Sequence, residues 1–147
     1  MQQRDAFIAE TGPGLTASSA RKNCQLSVGI TYPGGWQFSI FKADYRGYAN
    51  LPIGHRGVAR AAYYFSGQTQ QIESNTNIVG PIDNNYIKTD TFGLESTVWS
   101  PCGYDGILNI NSEVRIAPLT SPNPSLMTFD SADLKFTQVH YLVWQRC

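Results

Sequence analysis

The chain has 147 residues, 41% of them hydrophobic, and eleven Lys+Arg balance eleven Asp+Glu for a formal net charge of zero. That hydrophobic share excludes an intrinsically disordered chain, and the length suits one domain able to bury its own core. Zero net charge with only four lysines offers no clustered basic face for sequence-independent nucleic-acid binding and little attraction to an anionic membrane.

Residues 1–23 are polar and irregular around the turn Thr11-Gly12-Pro13-Gly14. Period-two alternation begins at Cys24: Cys24, Leu26, Val28, Ile30 and Tyr32 fall on one face, Gln25, Ser27, Gly29 and Thr31 on the other. That pattern predicts a half-buried strand. Pro33-Gly34-Gly35 interrupts it, and Trp36, Phe38 and Ile40 resume it, so the pair reads as a β-hairpin. Tyr45 to Tyr48 and a break at Leu51-Pro52-Ile53-Gly54 follow. A strand is predicted from Val58 to Phe65, a turn at Ser66-Gly67, and a strand from Gln70 to Val79 with Ile72, Ser74, Thr76 and Ile78 on one face. Gly80 to Asn85 reads as a loop. Tyr86 to Phe92 and Ser96 to Trp99 read as short strands. Gly106 to Ile116 sets Leu108, Ile110, Ser112, Val114 and Ile116 against Asn109, Asn111, Glu113 and Arg115; Gln138 to Gln145 closes the chain as a strand.

Roughly eight short strands separated by turn signals, with no helical periodicity, predict an all-β fold. The expected architecture is a two-sheet β-sandwich of antiparallel strands in a single domain over 1–147. Charged residues are 15%, against about 25% in an ordinary soluble domain; Gly, Tyr, Asn, Ser and Thr take their place, as strands and turns require. No run of about 18 apolar residues is long enough to span a membrane. The first residues carry no apolar signal segment.

Chemistry-bearing residues are sparse. Two histidines, His55 in a loop and His140 on a strand, lack the spaced partners of a zinc site. No Gly-x-Ser-x-Gly elbow occurs. Asp83, Asp105 and Asp130 sit among Asn and Gly in predicted loops and could offer oxygen ligands to calcium, although Asp there ordinarily caps turns. No metal or other cofactor is expected. The aromatics Trp36, Tyr45, Tyr48, Trp99, Tyr104 and Trp144 are the candidates for ligand stacking wherever the fold leaves them exposed. Three cysteines, Cys24, Cys102 and Cys147, allow three alternative single bridges, which spacing does not choose among.

Arg21-Lys22-Asn23-Cys24-Gln25-Leu26, Asp44-Tyr45-Arg46-Gly47-Tyr48, Trp99-Ser100-Pro101-Cys102-Gly103, Leu108-Asn109-Ile110-Asn111 and Trp144-Gln145-Arg146-Cys147 resemble, in that order, motifs of the family called domain of unknown function 4360. The resemblance covers nearly the whole chain from about Phe7. It implies a small, secreted, cysteine-paired protein, mostly of fungi, and assigns no catalytic residue. The family pattern has a signal peptide, a Gly-Cys-Pro segment and a further strand ahead of the matching region, and four cysteines. This chain matches the last three, so the resemblance implies that one has lost its partner and that a sheet edge is left open.

Three functions follow as expectations. The first is a secreted, non-catalytic structural or surface protein that assembles with copies of itself. The second is a secreted binding module for cell-wall glycan or for another secreted protein, which requires several of the named aromatics on one exposed patch. The third is a hydrolase using His55 or His140 with a loop carboxylate, which requires that histidine hydrogen-bonded to Asp or Glu in a cleft.

Overall fold

The strongest alternation in the sequence, from Leu108 to Ile116, lies within a 15-residue strand that pairs on both sides. The computed structural model describes residues 8–92, 98–128 and 138–147. Its strands are β1 (Ile8–Thr11), β2 (Arg21–Leu51), β3 (Arg56–Phe65), β4 (Ile72–Val79), β5 (Ile82–Thr91), β6 (Gly103–Ala117), β7 (Ser125–Thr128) and β8 (Gln138–Arg146), with one 3-10 turn at Ala17–Ala20. The chain is all-β, as its patterning predicts, and every strand pairing among the described residues is antiparallel.

The eight strands form one hydrogen-bonded sheet, where the sequence reading has two. The cause is β2, whose 31 residues serve both halves. Arg21 to Thr31 pair with β6, which pairs through its other side with β3, and β3 with β4. Trp36 to Tyr45 pair with β8, and Lys42 to Leu51 with β5 on the opposite side. β7 pairs with Ala49 and Asn50 and carries β1 outward.

The predicted hairpin at Pro33-Gly34-Gly35 is therefore not formed: its two arms pair with different strands. Between Thr31 and Trp36 the ladder with β6 shifts register, leaving extra residues on β2, and such a bulge bends the strand into a corner. Gly35 has φ 84°, a value a side chain rarely tolerates. Phe38, Ile40, Ala43 and Tyr45 from the second half share one core cluster with Tyr63 and Phe65 of β3 and Leu108 and Ile110 of β6. A second cluster joins Ala49 and Leu51 to Ala59, Val114, Ile116 and Met127.

Other boundaries moved. Ile8 to Thr11, read as irregular, is strand β1 because β7 gives it a partner. The predicted loop at Gly80 to Asn85 shrinks to two residues, and Asp83 becomes part of β5 opposite Asn50. Asp105 also lies on a strand, opposite Thr31. The predicted strand from Ser96 to Trp99 falls partly outside the described residues, and Val98 to Ser100 are not strand. Among the described residues, no helix is long and apolar enough to cross a membrane.

Candidate functional site

At the Pro33 corner the strand ends meet. Trp36 has Gly103 of β6 as its partner on one side and Arg146 of β8 on the other. Pro33, Trp36 and Trp144 line an open groove of about 350 Å³, within the roughly 300–1,000 Å³ range of small-molecule sites. Trp144 is 43% exposed. Its inner side rests on the core, with ring centroids 5.8 Å from Tyr32 and 5.2 Å from Phe38. Trp36 is half-buried and packs against the same cluster. The Arg146 guanidinium stands 5.2 Å over the Trp36 ring, a cation–π distance that holds a charged donor at the rim.

The surroundings are held by hydrogen bonds to the segment before β6. The Tyr32 hydroxyl donates to the Pro101 carbonyl at 2.5 Å. The Phe38 amide donates to Ser100 Oγ at 2.9 Å, and the Ser100 amide to the Phe38 carbonyl at 2.8 Å. Gln145 donates to Gln37 at 2.7 Å, and Gln37 to the Ser100 carbonyl at 3.1 Å. The cysteine alternatives are resolved here: Cys102 bonds Cys147, with Cα atoms 5.9 Å apart. Cys24 is an exposed free thiol on β2 opposite Ser112, so its expected disulfide role is not met within this chain.

Three of the other stacking candidates, Tyr45, Tyr48 and Trp99, do not line the groove. Tyr45 is 2% exposed and hydrogen-bonded to Tyr63 inside the core, which removes it as a ligand contact. Tyr48 is half-buried and its hydroxyl donates to the Asp83 carboxylate, a bond that raises the phenol above its ordinary pKa. Trp99 is half-buried and does not line the groove. Tyr104 lies on β6 with its side chain outside the described residues, as does the side chain of His140 on β8.

The calcium candidates are not gathered. Asp83 is bonded to Tyr48, Asp105 is exposed on β6, and Asp130 lies outside the described residues. Among the described residues no three His, Cys, Asp or Glu side chains converge. His55 is 5% exposed, and neither ring nitrogen has a hydrogen-bond partner among the described residues. It thus lacks the carboxylate contact that the hydrolase expectation requires of it.

Two arrangements were missed in the sequence. Pro33 joins the groove lining and Arg146 stands over Trp36, but Pro33 reads as a turn former and Arg146 is singled out only within the terminal family motif. The second is a polar cluster across four strands. Tyr45 of β2 and Tyr63 of β3 share a hydrogen bond, and Ser74 of β4 donates to Asp90 of β5. Ser74 also bonds Tyr45, and burial pushes both phenols up. Alternation places such residues on the inner face, but not beside one another.

Comparison with known proteins adds a family and a relative. The model described as domain of unknown function (DUF4360) matches residues 3–147. An "Uncharacterized secreted protein" of Arthroderma benhamiae is 50% identical over 143 residues, 97% of this chain. The chain spans 58% of that relative's length.

Proposed function

The chain belongs to the family described as domain of unknown function DUF4360, and from that premise we propose that it is a secreted, non-catalytic binding module whose ligand stacks on Trp36 and Trp144. Secretion is supported by the name of the relative from Arthroderma benhamiae and by the Cys102–Cys147 bridge, since disulfides persist in oxidising compartments. The observation that carries the binding reading is the groove itself. Two indoles and a proline ring line one open concavity, with a guanidinium at its edge. Flat aromatic surface backed by a rigid core suits the apolar face of a sugar ring, and Arg146 can donate to its hydroxyls. Neutral cell-wall glycan is the ligand class this chemistry fits.

The test is calorimetric titration with soluble oligosaccharides of glucose and of N-acetylglucosamine. One series should bind saturably, and Trp36→Ala and Trp144→Ala should each weaken it about tenfold, or ~1.4 kcal/mol. Tyr48→Phe, at Asp83 rather than in the groove, should bind as the parent does. Affinity unchanged in both tryptophan variants would remove the groove from any account of function.

Self-association is a second reading, favoured by one region. Arg21 to Thr31 pair with β6 alone among the described residues, Leu26 on that edge is 51% exposed, and Cys24 beside it carries a free thiol. Unpaired strand edges invite another strand.

A further inference from the structure

We propose that the Cys102–Cys147 disulfide is the clasp that assembles the aromatic groove, so that ligand binding responds to thiol reductants. The proposal rests on the reading of the groove as a binding site and adds its regulation. Trp36 has neighbours on both sides, Gly103 on β6 and Arg146 on β8. Cys102 immediately precedes the first of these and Cys147 immediately follows the second. The bridge therefore ties the two flanking strands to each other around the β2 corner. Three residues before Cys147 stands Trp144, one wall of the groove, and one residue before it Arg146 lies over the other wall.

This end of β8 is fastened through β2 alone among the described residues, by its ladder, by the Trp144 ring against Phe38 and by the Gln145–Gln37 bond. Leu142 is 37% exposed, and Trp144 to Cys147 are all exposed. The last residue is held by the Cys147 amide donating to the Gly35 carbonyl at 3.0 Å. A solvent-exposed strand end paired on one side opens at lower free-energy cost than the central strands. With the bridge intact, opening must carry Cys102 along. With it cut, β8 can lift from Trp36 and take both Trp144 and Arg146 with it. The two cysteines are themselves exposed, so a reductant reaches the sulfurs without unfolding. A dithiol supplies the electrons. Its thiolate attacks one sulfur to form a mixed disulfide and release the other as a thiolate, which takes a proton. The second thiol of the reagent loses its proton, closes the reagent's own disulfide and frees the remaining cysteine.

The experiment uses the Cys24→Ser protein, so that thiol chemistry reports the bridge alone. Hydrogen exchange and tryptophan emission are compared for the oxidised form, the dithiol-reduced form and the Cys102→Ser/Cys147→Ser variant, together with affinity for the oligosaccharide identified above. Amides of residues 138–147 should exchange at least about tenfold faster after reduction while those of β3 and β6 stay protected. Tryptophan emission should shift to the red, and affinity should fall about tenfold. Unchanged exchange at 138–147 would overturn the clasp. Equal acceleration along the whole chain would overturn it too, since the bridge would then hold the entire fold. Faster exchange confined to 138–147, in a protein whose oxidised form binds no oligosaccharide, would uphold the clasp and remove the glycan reading instead.

Discussion

Individual side chains set the polar contents of the core. Tyr45 and Tyr63 are nearly inaccessible and share a hydrogen bond within a cluster completed by Ser74 and Asp90. Desolvation is the first cause raising both phenols, and for Tyr63 the Tyr45 hydroxyl adds to it. A phenol whose folded pKa exceeds its unfolded value of about 10 contributes stability that is present below pH 10. That stability is lost as pH rises above 10 toward the folded values. The melting temperature should therefore fall once the pH exceeds about 10, and Tyr63→Phe should soften the fall. Absorbance at 295 nm, followed alongside circular dichroism, provides the check: Tyr45 and Tyr63 should stay un-ionised until the fold opens, and titration of all eight tyrosines in an intact fold would contradict it. Glu113 presents a different solution. Its carboxylate, 6% exposed, accepts from Arg21 Nε at 2.5 Å, with Arg60 and Arg115 at 3.9 and 4.0 Å. A carboxylate this buried needs such partners.

At the scale of elements, β2 organises the molecule. Its length exceeds that of a usual strand about fivefold, and it persists because each part finds a different partner. Gly47 sits at the point where three strands converge. The Tyr86 side chain of β5 passes over it, and its hydroxyl donates to the Thr128 carbonyl of β7. A Cβ at Gly47 would collide with both that ring and that carbonyl. Gly47→Ala should destabilise the protein by about 1–3 kcal/mol, measured as a lower urea midpoint with an unchanged slope; a midpoint equal to the parent's would show that Tyr86 can move aside. The β3–β4 hairpin was legible from Ser66-Gly67 and two alternating flanks, because hairpin pairing is local. Pro33-Gly34-Gly35 carries equally strong turn residues, yet serves as a corner. Turn chemistry specifies a change of direction and leaves open which strand comes alongside.

For the whole molecule, zero net charge and an open edge point the same way. No net charge repels one copy from another, and the Arg21 to Thr31 edge carries Leu26 and Cys24 into solvent. If this edge pairs with a second copy, light scattering without reductant should show a mass that rises with concentration. Cys24→Ser should abolish any reductant-sensitive fraction of the larger species. A constant monomer mass over a hundredfold concentration range would dismiss assembly through this edge. The groove lies at the Pro33 end of the same strand, so its tryptophans can be varied without touching Cys24 or Leu26.

The sequence by itself determined the all-β class and the inward faces of β4 and β6, because side-chain alternation is a property of consecutive residues. Tertiary structure decided the rest. It joined Cys102 to Cys147 across 45 residues, hid Tyr45 while leaving Trp144 half in water, and brought Trp36 opposite Arg146 at the end of β8. Each of these depends on which distant strands share an edge. That choice is made by the total burial of apolar surface over the whole sheet, a sum to which no local stretch of sequence has access.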